Sequence, residues 1–515
     1  MISLTGPAIE KYDAQSAVAI DLSRVAKDLG AKDSSLWGKQ AEAEAERRLN
    51  WIDLPITSRE LLPELDALSA WAREHGLSNI ILCGMGGSSL APEVIAKTYE
   101  KPLTVLDSTD PDQISLALPK DLTTTLVIVG SKSGATIETA SQKSLFEKLF
   151  IDAGLDPREH FVVITDPHSP LDIAARAQGL RVVNADPQVG GRFSALSAFG
   201  LVPAALMGVD VSVMLDDAEL AIQAFSSPNS VPVRLATLLF EQCNENFALI
   251  DAGSKLPGIG DWIEQLIAES TGKDGTGRLP IVLENQSSEI FGDGLRIGFS
   301  KGVGELNVLG SLGEQFILWE WATALLCRAL QVDPFNQPNV TEAKKSTANI
   351  LSKLVGSKIP ETIPAFTVGN LLIFADQQSS DLVSALGNFT SSPASYIAIM
   401  AYLNRQSDGE VRLIRESLAR KTKLPVTFGW GPRFLHSTGQ FHKGGKEKGI
   451  FLQITANSKS ELQIPGEQFS FQTLLMAQAL GDAQALEARG FKVLRLHLVK
   501  RSEGISELFE AVSAL

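Results

Sequence analysis

Residues Leu126–Thr139 read LVIVGSKSGATIET, and the two halves of this stretch follow different rules. Leu126-Val-Ile-Val-Gly130 is a short, apolar, β-branched run, which predicts a strand buried on both faces of a parallel sheet. Beyond it Ser131, Ser133, Thr136 and Thr139 surround one lysine, Lys132, and one glycine, Gly134. A helical run, TASQKSLFEKLF, follows. A strand that feeds such a turn brings backbone N–H groups, hydroxyls and a helix N-terminus around one point, which should attract a phosphate-like anion. The same residues also suit a Ser/Thr-rich N-cap and loop, so the neighbouring segments have to decide.

Working outward, Ile80-Ile-Leu-Cys83 runs into GMGGSSLAPEVIAKTY, a glycine turn followed by a helix. Further strands are predicted at Leu103–Asp107, Phe161–Thr165 and Leu180–Asn184. Strands alternating with helices mean a parallel sheet with right-handed crossovers, and ligands in such sheets sit at the carboxyl ends of the strands. Both glycine/serine loops, at 84–89 and 131–136, lie there. The first loop also approaches a dinucleotide fingerprint, with an acid, Asp107, 23 residues beyond Gly84. That reading fails at the third glycine, because Ser89 occupies the position.

The 515 residues exceed one ordinary core, so at least two domains are expected. Hydrophobic residues at 44% and charged ones at 21% describe a globular chain, and no apolar run reaches the roughly 18 residues of a membrane span. A net charge of −14 disfavours nucleic acid as a partner, since the phosphate backbone needs a basic face. Three cysteines, Cys83, Cys243 and Cys327, without CxxC spacing predict neither a disulfide framework nor a zinc site. With no secretory signal at the N-terminus, the expected location is the cytoplasm. Residues 1–75 read as a charged, helical arm throughout. Residues 76–230 read as the first α/β domain, and 231–515 as a second with a C-terminal extension.

Three segments in order, GMGGSSL, SKSGATIET and VGGRFSAL, resemble the phosphoglucose isomerase series of the sugar-isomerase domain superfamily. Three later ones strengthen the resemblance. DWIEQLIAESTGKDG resembles the family's ESxGK segment, with Gln265 one helical turn before Glu269. A Glu near a helix C-terminus is electrostatically disfavoured, which raises its proton affinity. LGSLGEQFILWEWATALLCRALQVDPFNQPNVTEAKK resembles the PFDQ-G-VE-K signature, with Gln337 and Lys344 seven residues apart. Asn336 and Asn339 depart from the family's acid and glycine there. FLHSTGQFHKGG resembles the LHSxGQ segment, but follows the lysine signature where the family usually places it before. That order and spelling resemble the isomerase half of transaldolase–phosphoglucose isomerase fusions.

The resemblance implies an α/β fold of two doubly wound parallel-sheet sugar-isomerase domains behind an N-terminal helical arm. It implies interconversion of glucose 6-phosphate and fructose 6-phosphate through ring opening and a cis-enediolate, without metal or redox cofactor. The catalytic residues it implies are Glu269 as base, His436 and Lys344 for ring opening, and Arg192 for the enediolate, with His442 as the alternative histidine. Gly87, Ser88, Ser131, Lys132, Ser133, Thr136, Gln265 and Gln337 would bind substrate. The expected partner is a small sugar phosphate, with no nucleic acid and no membrane, and a homodimer is compatible with the resemblance. A non-catalytic sugar-phosphate binder would have no use for Glu269, Arg192, Gln337 and Lys344 together, and a nucleotide-dependent dehydrogenase would need the failed fingerprint.

Overall fold

The first strand lies inside the predicted helical arm. β1 (Ser3–Thr5) pairs antiparallel with β10 (Leu306–Leu309), Ser3 opposite Leu309, so the arm is not helical throughout. A three-residue strand whose partner lies three hundred residues away leaves no periodicity to read. The computed structural model describes residues 1–292, 294–354, 359, 363–375, 379, 381–446 and 448–515.

The first sheet holds β2 (Asn79–Gly84), β3 (Thr104–Leu106), β4 (Thr125–Gly130), β5 (Phe161–Thr165) and β6 (Arg181–Asn184) in the order β3-β2-β4-β5-β6, all parallel. Every residue of β4 is buried, as a strand with helices on both faces requires. The helix α1 (Ile137–Asp152) follows β4. The second sheet adds β7 (Asn246–Ile250), β8 (Leu279–Val282) and β9 (Arg296–Gly298) in the order β1-β10-β9-β7-β8, with all but β1 parallel. Between β7 and β8 runs α2 (Ile259–Thr271), buried along its whole length except at Asp261. A helix apolar or buried all round belongs between layers, not on a surface.

One core unites these two sheets. Ile80, Leu82 and Leu126 share it with Leu249, Ile297 and Trp262, and Leu22 and Val25 of the arm pack into it.

Residues 231–515, read from sequence as one domain with an extension, hold a further sheet beyond the second. Its strands are β11 (Phe366–Val368), β12 (Leu371–Phe374), β13 (Tyr396–Tyr402), β14 (Val426–Trp430), β15 (Gly449–Ala456) and β16 (Val493–Leu498), in the order β11-β12-β16-β15-β13-β14. β13 to β16 are parallel, while β11 and β12 form an antiparallel edge joined at Gly369-Asn370, where Gly369 has φ +53°. A two-residue hairpin of this kind selects glycine. Leu371, Ile399, Leu452 and Leu496 give this sheet its own core. The helices α3 (Val340–Leu351) and α4 (Phe471–Glu487) pack against each other at its side. Among the described residues no helix is long and apolar enough to cross a membrane.

Three arginines fasten the third sheet to the carboxyl end of the first. Arg405 pairs with Glu93 at 2.7 Å, and Arg433 lies 3.3 Å from both Glu93 and Asp107. Arg501 reaches Asp110 at 2.6 Å and Asp408 at 3.0 Å. All the partners are buried.

Candidate active site

The site assembles where β2 and β4 end. Ser131 N–H donates to the Ile164 carbonyl at 3.0 Å, so strand pairing continues one residue past β4 before the chain turns. Gly134 makes the turn at φ +69°, and a Cβ there would lie 2.8 Å from the Leu171 nitrogen, so no larger residue fits. Ser131 Oγ donates to Thr136 Oγ1 at 3.1 Å. Thr136 is the N-cap of α1 but its side chain makes no capping bond to the first turn of the helix. That combination attracts an anion. Ser133, exposed at the tip, accepts from Ala135 N–H at 3.3 Å.

Lys132 does not add its charge to this loop. Its ammonium lies 2.8 and 2.7 Å from the two Asp166 oxygens and 3.3 Å from the carbonyls of Asp186 and Pro187. A half-buried lysine needs such a counter-charge, and the end of β5 supplies it.

The GMGGSS loop is shaped by backbone contacts. A Cβ on Gly86, at φ +55°, would meet Gln265 Nε2 at 2.7 Å and the His436 carbonyl at 3.0 Å. One on Gly87 would run into the Gly191 carbonyl oxygen. The two glycine turns therefore interlock, which carries Arg192 into the interior. Ser88 is half-buried beside Gly130.

Arg192 is buried, with Nε donating to Ser270 Oγ at 2.8 Å and Nη2 donating to the carbonyls of Pro334 and Asn336. Its Nη1 lies 3.5 Å from Glu269 Oε1. Glu269, on the last turn of α2, is only 4% exposed and accepts from Gln265 Nε2 at 3.2 Å. Burial raises the Glu269 carboxyl above its ordinary value, and Arg192, His436 and Gln265 pull it part of the way back. The rise expected from the helix end is therefore produced chiefly by desolvation.

His436 arrives from the third sheet, in the short 3₁₀ helix Arg433–His436 after β14. Its carbonyl accepts from Gln265 Nε2 at 2.7 Å, so one glutamine touches both Glu269 and the histidine backbone. Its Nε2 lies 3.0 Å from Glu138 Oε1, which also accepts from Gln478 Nε2 at 2.7 Å. Burial works to raise the Glu138 carboxyl, but His436, with a smaller push from Lys344, holds it below its ordinary range. With Glu138 ionised as the acceptor, His436 Nε2 is the donor of this hydrogen bond. Glu138 is a candidate site residue that sequence reasoning missed. It lies inside the quoted ATIET, and the available signal was an acid in the first turn of the helix directly after an anion loop.

His442 is elsewhere. It lies 2.9 Å from Tyr396 OH, stacks on that ring at 5.7 Å, and burial depresses its pKa to about 3. A neutral imidazole among Tyr396, Phe434 and Phe451 is a core residue.

Lys344 is exposed on α3 and makes no ion pair among the described residues, and its charge acts on Glu138. Gln337 is exposed in the preceding loop. The two asparagines that depart from the family pattern tie this loop down. Asn336 accepts Lys273 Nζ on its carbonyl at 2.7 Å and on Oδ1 at 3.0 Å. Asn339 exchanges hydrogen bonds with Gln440 of LHSTGQ at 3.0 and 2.7 Å. Burial and the nearby Arg192 lower the Lys273 ammonium to about 7.

The model of the phosphoglucose isomerase family matches residues 67–294. A glucose-6-phosphate isomerase from Cyanothece sp. is 38% identical over 213 residues, 38% of this chain and 40% of the relative. A probable glucose-6-phosphate isomerase from Haloarcula marismortui is 35% identical over 252 residues, 47% of this chain and 58% of the relative. The chain thus spans about half the length of the curated relatives it matches. Among solved structures, a hypothetical protein from Thermus thermophilus superposes with a TM-score of 0.57 at 24% identity, covering 68% of this chain and 99% of that one. That likeness shows that the two share an α/β fold.

Proposed function

We propose that this chain, whose residues 67–294 match the phosphoglucose isomerase family, interconverts glucose 6-phosphate and fructose 6-phosphate. The observation that carries the reading is Glu269, a buried carboxyl of raised proton affinity held 3.5 Å from an always-charged arginine. A base that must take a proton from carbon and return it works best when its affinity for that proton is raised toward neutrality. The phosphate of the substrate occupies the loop of Ser131, Ser133 and Thr136 at the start of α1, with Ser88 and Gly87 beside it. This fixes the sugar so that its C2 faces Glu269.

His436, oriented by Glu138, moves the proton between O5 and O1 that opens the ring, and Lys344 lends positive charge from α3. Glu269 then removes the C2 proton, the negative charge of the enediolate develops opposite Arg192, and the proton is returned at C1. Gln265 holds the base and the histidine in register. Gln337 lies at the outer edge of this arrangement.

The test is direct. The protein is incubated with fructose 6-phosphate, without added metal or nucleotide, and glucose 6-phosphate is followed. Its formation, with exchange of the C2 hydrogen into solvent, is the expected result. Binding of the sugar phosphate without conversion would overturn the enzymatic reading in favour of a sugar-phosphate binding protein.

A further inference from the structure

Arg495 is a cation of the third sheet that forms no ion pair among the described residues, although Glu487 acts on it through space. It lies on β16 with its guanidinium 4.5 Å from the centre of the Phe374 ring. Burial works against its charge, so a guanidinium in this position needs a reason to be there.

A cavity of about 700 Å³ supplies one. It opens at the carboxyl-terminal halves of the parallel strands β15 and β16 and at the first turns of α4, the part of an open α/β sheet where ligands sit. Its wall carries Lys459, Arg495, Ser470 and Thr473, the last two with their hydroxyls 3.2 Å apart, and one acid, Glu461. Its floor is apolar, formed by Phe374, Met476 and Leu480. His497 completes the wall as a fixed neutral ring, 2.9 Å from Thr455 Oγ1 and 3.0 Å from Asn457 Oδ1. The backbone N–H of Lys459 donates to Asp112 at 3.0 Å, so the loop that bears this lysine is anchored to the first sheet. A second cavity of about 820 Å³ shares Phe374, Leu480 and Arg495, which places the guanidinium where the two meet. The volume suits a small metabolite.

We infer that this cavity binds a small phosphate monoester with an apolar body, its dianion held by Arg495 and Lys459 and its body lying on Phe374, Met476 and Leu480. Two cations in one wall suit a dianion with three acceptor oxygens better than a single carboxylate. The site is distinct from the Ser131–Thr136 loop, which lies on another sheet, and does not depend on the isomerase reading.

The experiment is a calorimetric titration of the full chain with phenyl phosphate. It uses a Ser131→Ala, Thr136→Ala background, in which the first anion loop has lost its hydroxyls. One phenyl phosphate per chain is the expected stoichiometry, with benzoate bound at least ~10-fold more weakly. Arg495→Met keeps the aliphatic stem over Phe374 and should weaken binding by at least ~10-fold, the equivalent of one charge-assisted hydrogen bond. Lys459→Met, on an exposed loop, should do the same and decides the matter if the Arg495 variant does not fold. Absence of binding in the double-alanine background, unchanged affinity in the Lys459 variant, or equal binding of benzoate would each overturn the assignment.

Discussion

Glu269 shows how one side chain acquires its chemistry from three others. Removed from water it would hold its proton too tightly, and Arg192, His436 and Gln265 bring it back toward the range in which it can both accept and release one. Glu269→Gln keeps the hydrogen bond to Gln265 and the volume but cannot accept a proton. Turnover and C2 exchange, measured on protein shown by circular dichroism to be folded, should fall by roughly 10²- to 10⁴-fold while phosphate binding survives. Near-normal exchange would eliminate Glu269 as the base. The histidines divide as sharply. His436→Gln should lose activity on the cyclic sugar yet keep proton exchange on an open-chain analogue, whereas a conservative change at His442, a ring stacked on Tyr396, should register in stability and not in the ring-opening step. That Glu269, Arg192 and His436 come together was legible because each lies in a short motif of the family resemblance. Glu138 was not, because burial and a partner 298 residues away, not its sequence neighbours, place it at the site. The part assigned to Lys132 failed for the same kind of reason, since Asp166 lies on a different strand end.

At the scale of elements, runs such as LVIVG and FVVIT were readable because strands buried on both faces carry one uninterrupted apolar message. β1 was not, since its strand character exists only through β10. The burial of α2 was half legible. Its sequence, IGDWIEQLIAEST, shows polar residues on a face that the fold nevertheless encloses, and Glu264 is the consequence. Burial, with Asp261 nearby, raises the Glu264 carboxyl from 4.5 to about 8. A carboxyl that binds its proton more tightly folded than unfolded contributes stability that is complete below the unfolded value and is lost as pH climbs through the folded one. The window set by this group therefore runs from about 4.5 up to about 8. Glu264→Gln removes it. Urea midpoints of the variant and the parent, compared across that range, should show the variant gaining relative stability as pH rises, and a difference that stays constant with pH would refute the raised affinity.

On the scale of the whole molecule, the family match ends at residue 294, yet His436 reaches Glu138 and Gln265 from beyond it. The sequence displayed β13 to β16 as strands but not the sheet they join, because alternation of strands and helices does not say where one sheet stops. What holds that sheet in place is a set of buried ion pairs whose partners belong to different layers. Arg501 is the clearest, with Nη2 at 2.6 Å from Asp110 on the first-sheet side, Nη1 at 3.0 Å from Asp408 and Nε at 2.9 Å from the Asn457 carbonyl. Removing one member of such a buried set strands the others as uncompensated charges, at a cost of about 3–5 kcal/mol. Arg501→Met should therefore lower the urea midpoint by that equivalent. If the contact also sets the position of His436, activity on the cyclic sugar should drop further than C2 exchange on an open-chain analogue, whose base sits on α2 within the core of the first two sheets. An Arg501 variant of unchanged stability would show that the docking rests on apolar packing instead. Equal loss of both activities would show that Arg501 supports the folded state as a whole and not the placement of the histidine.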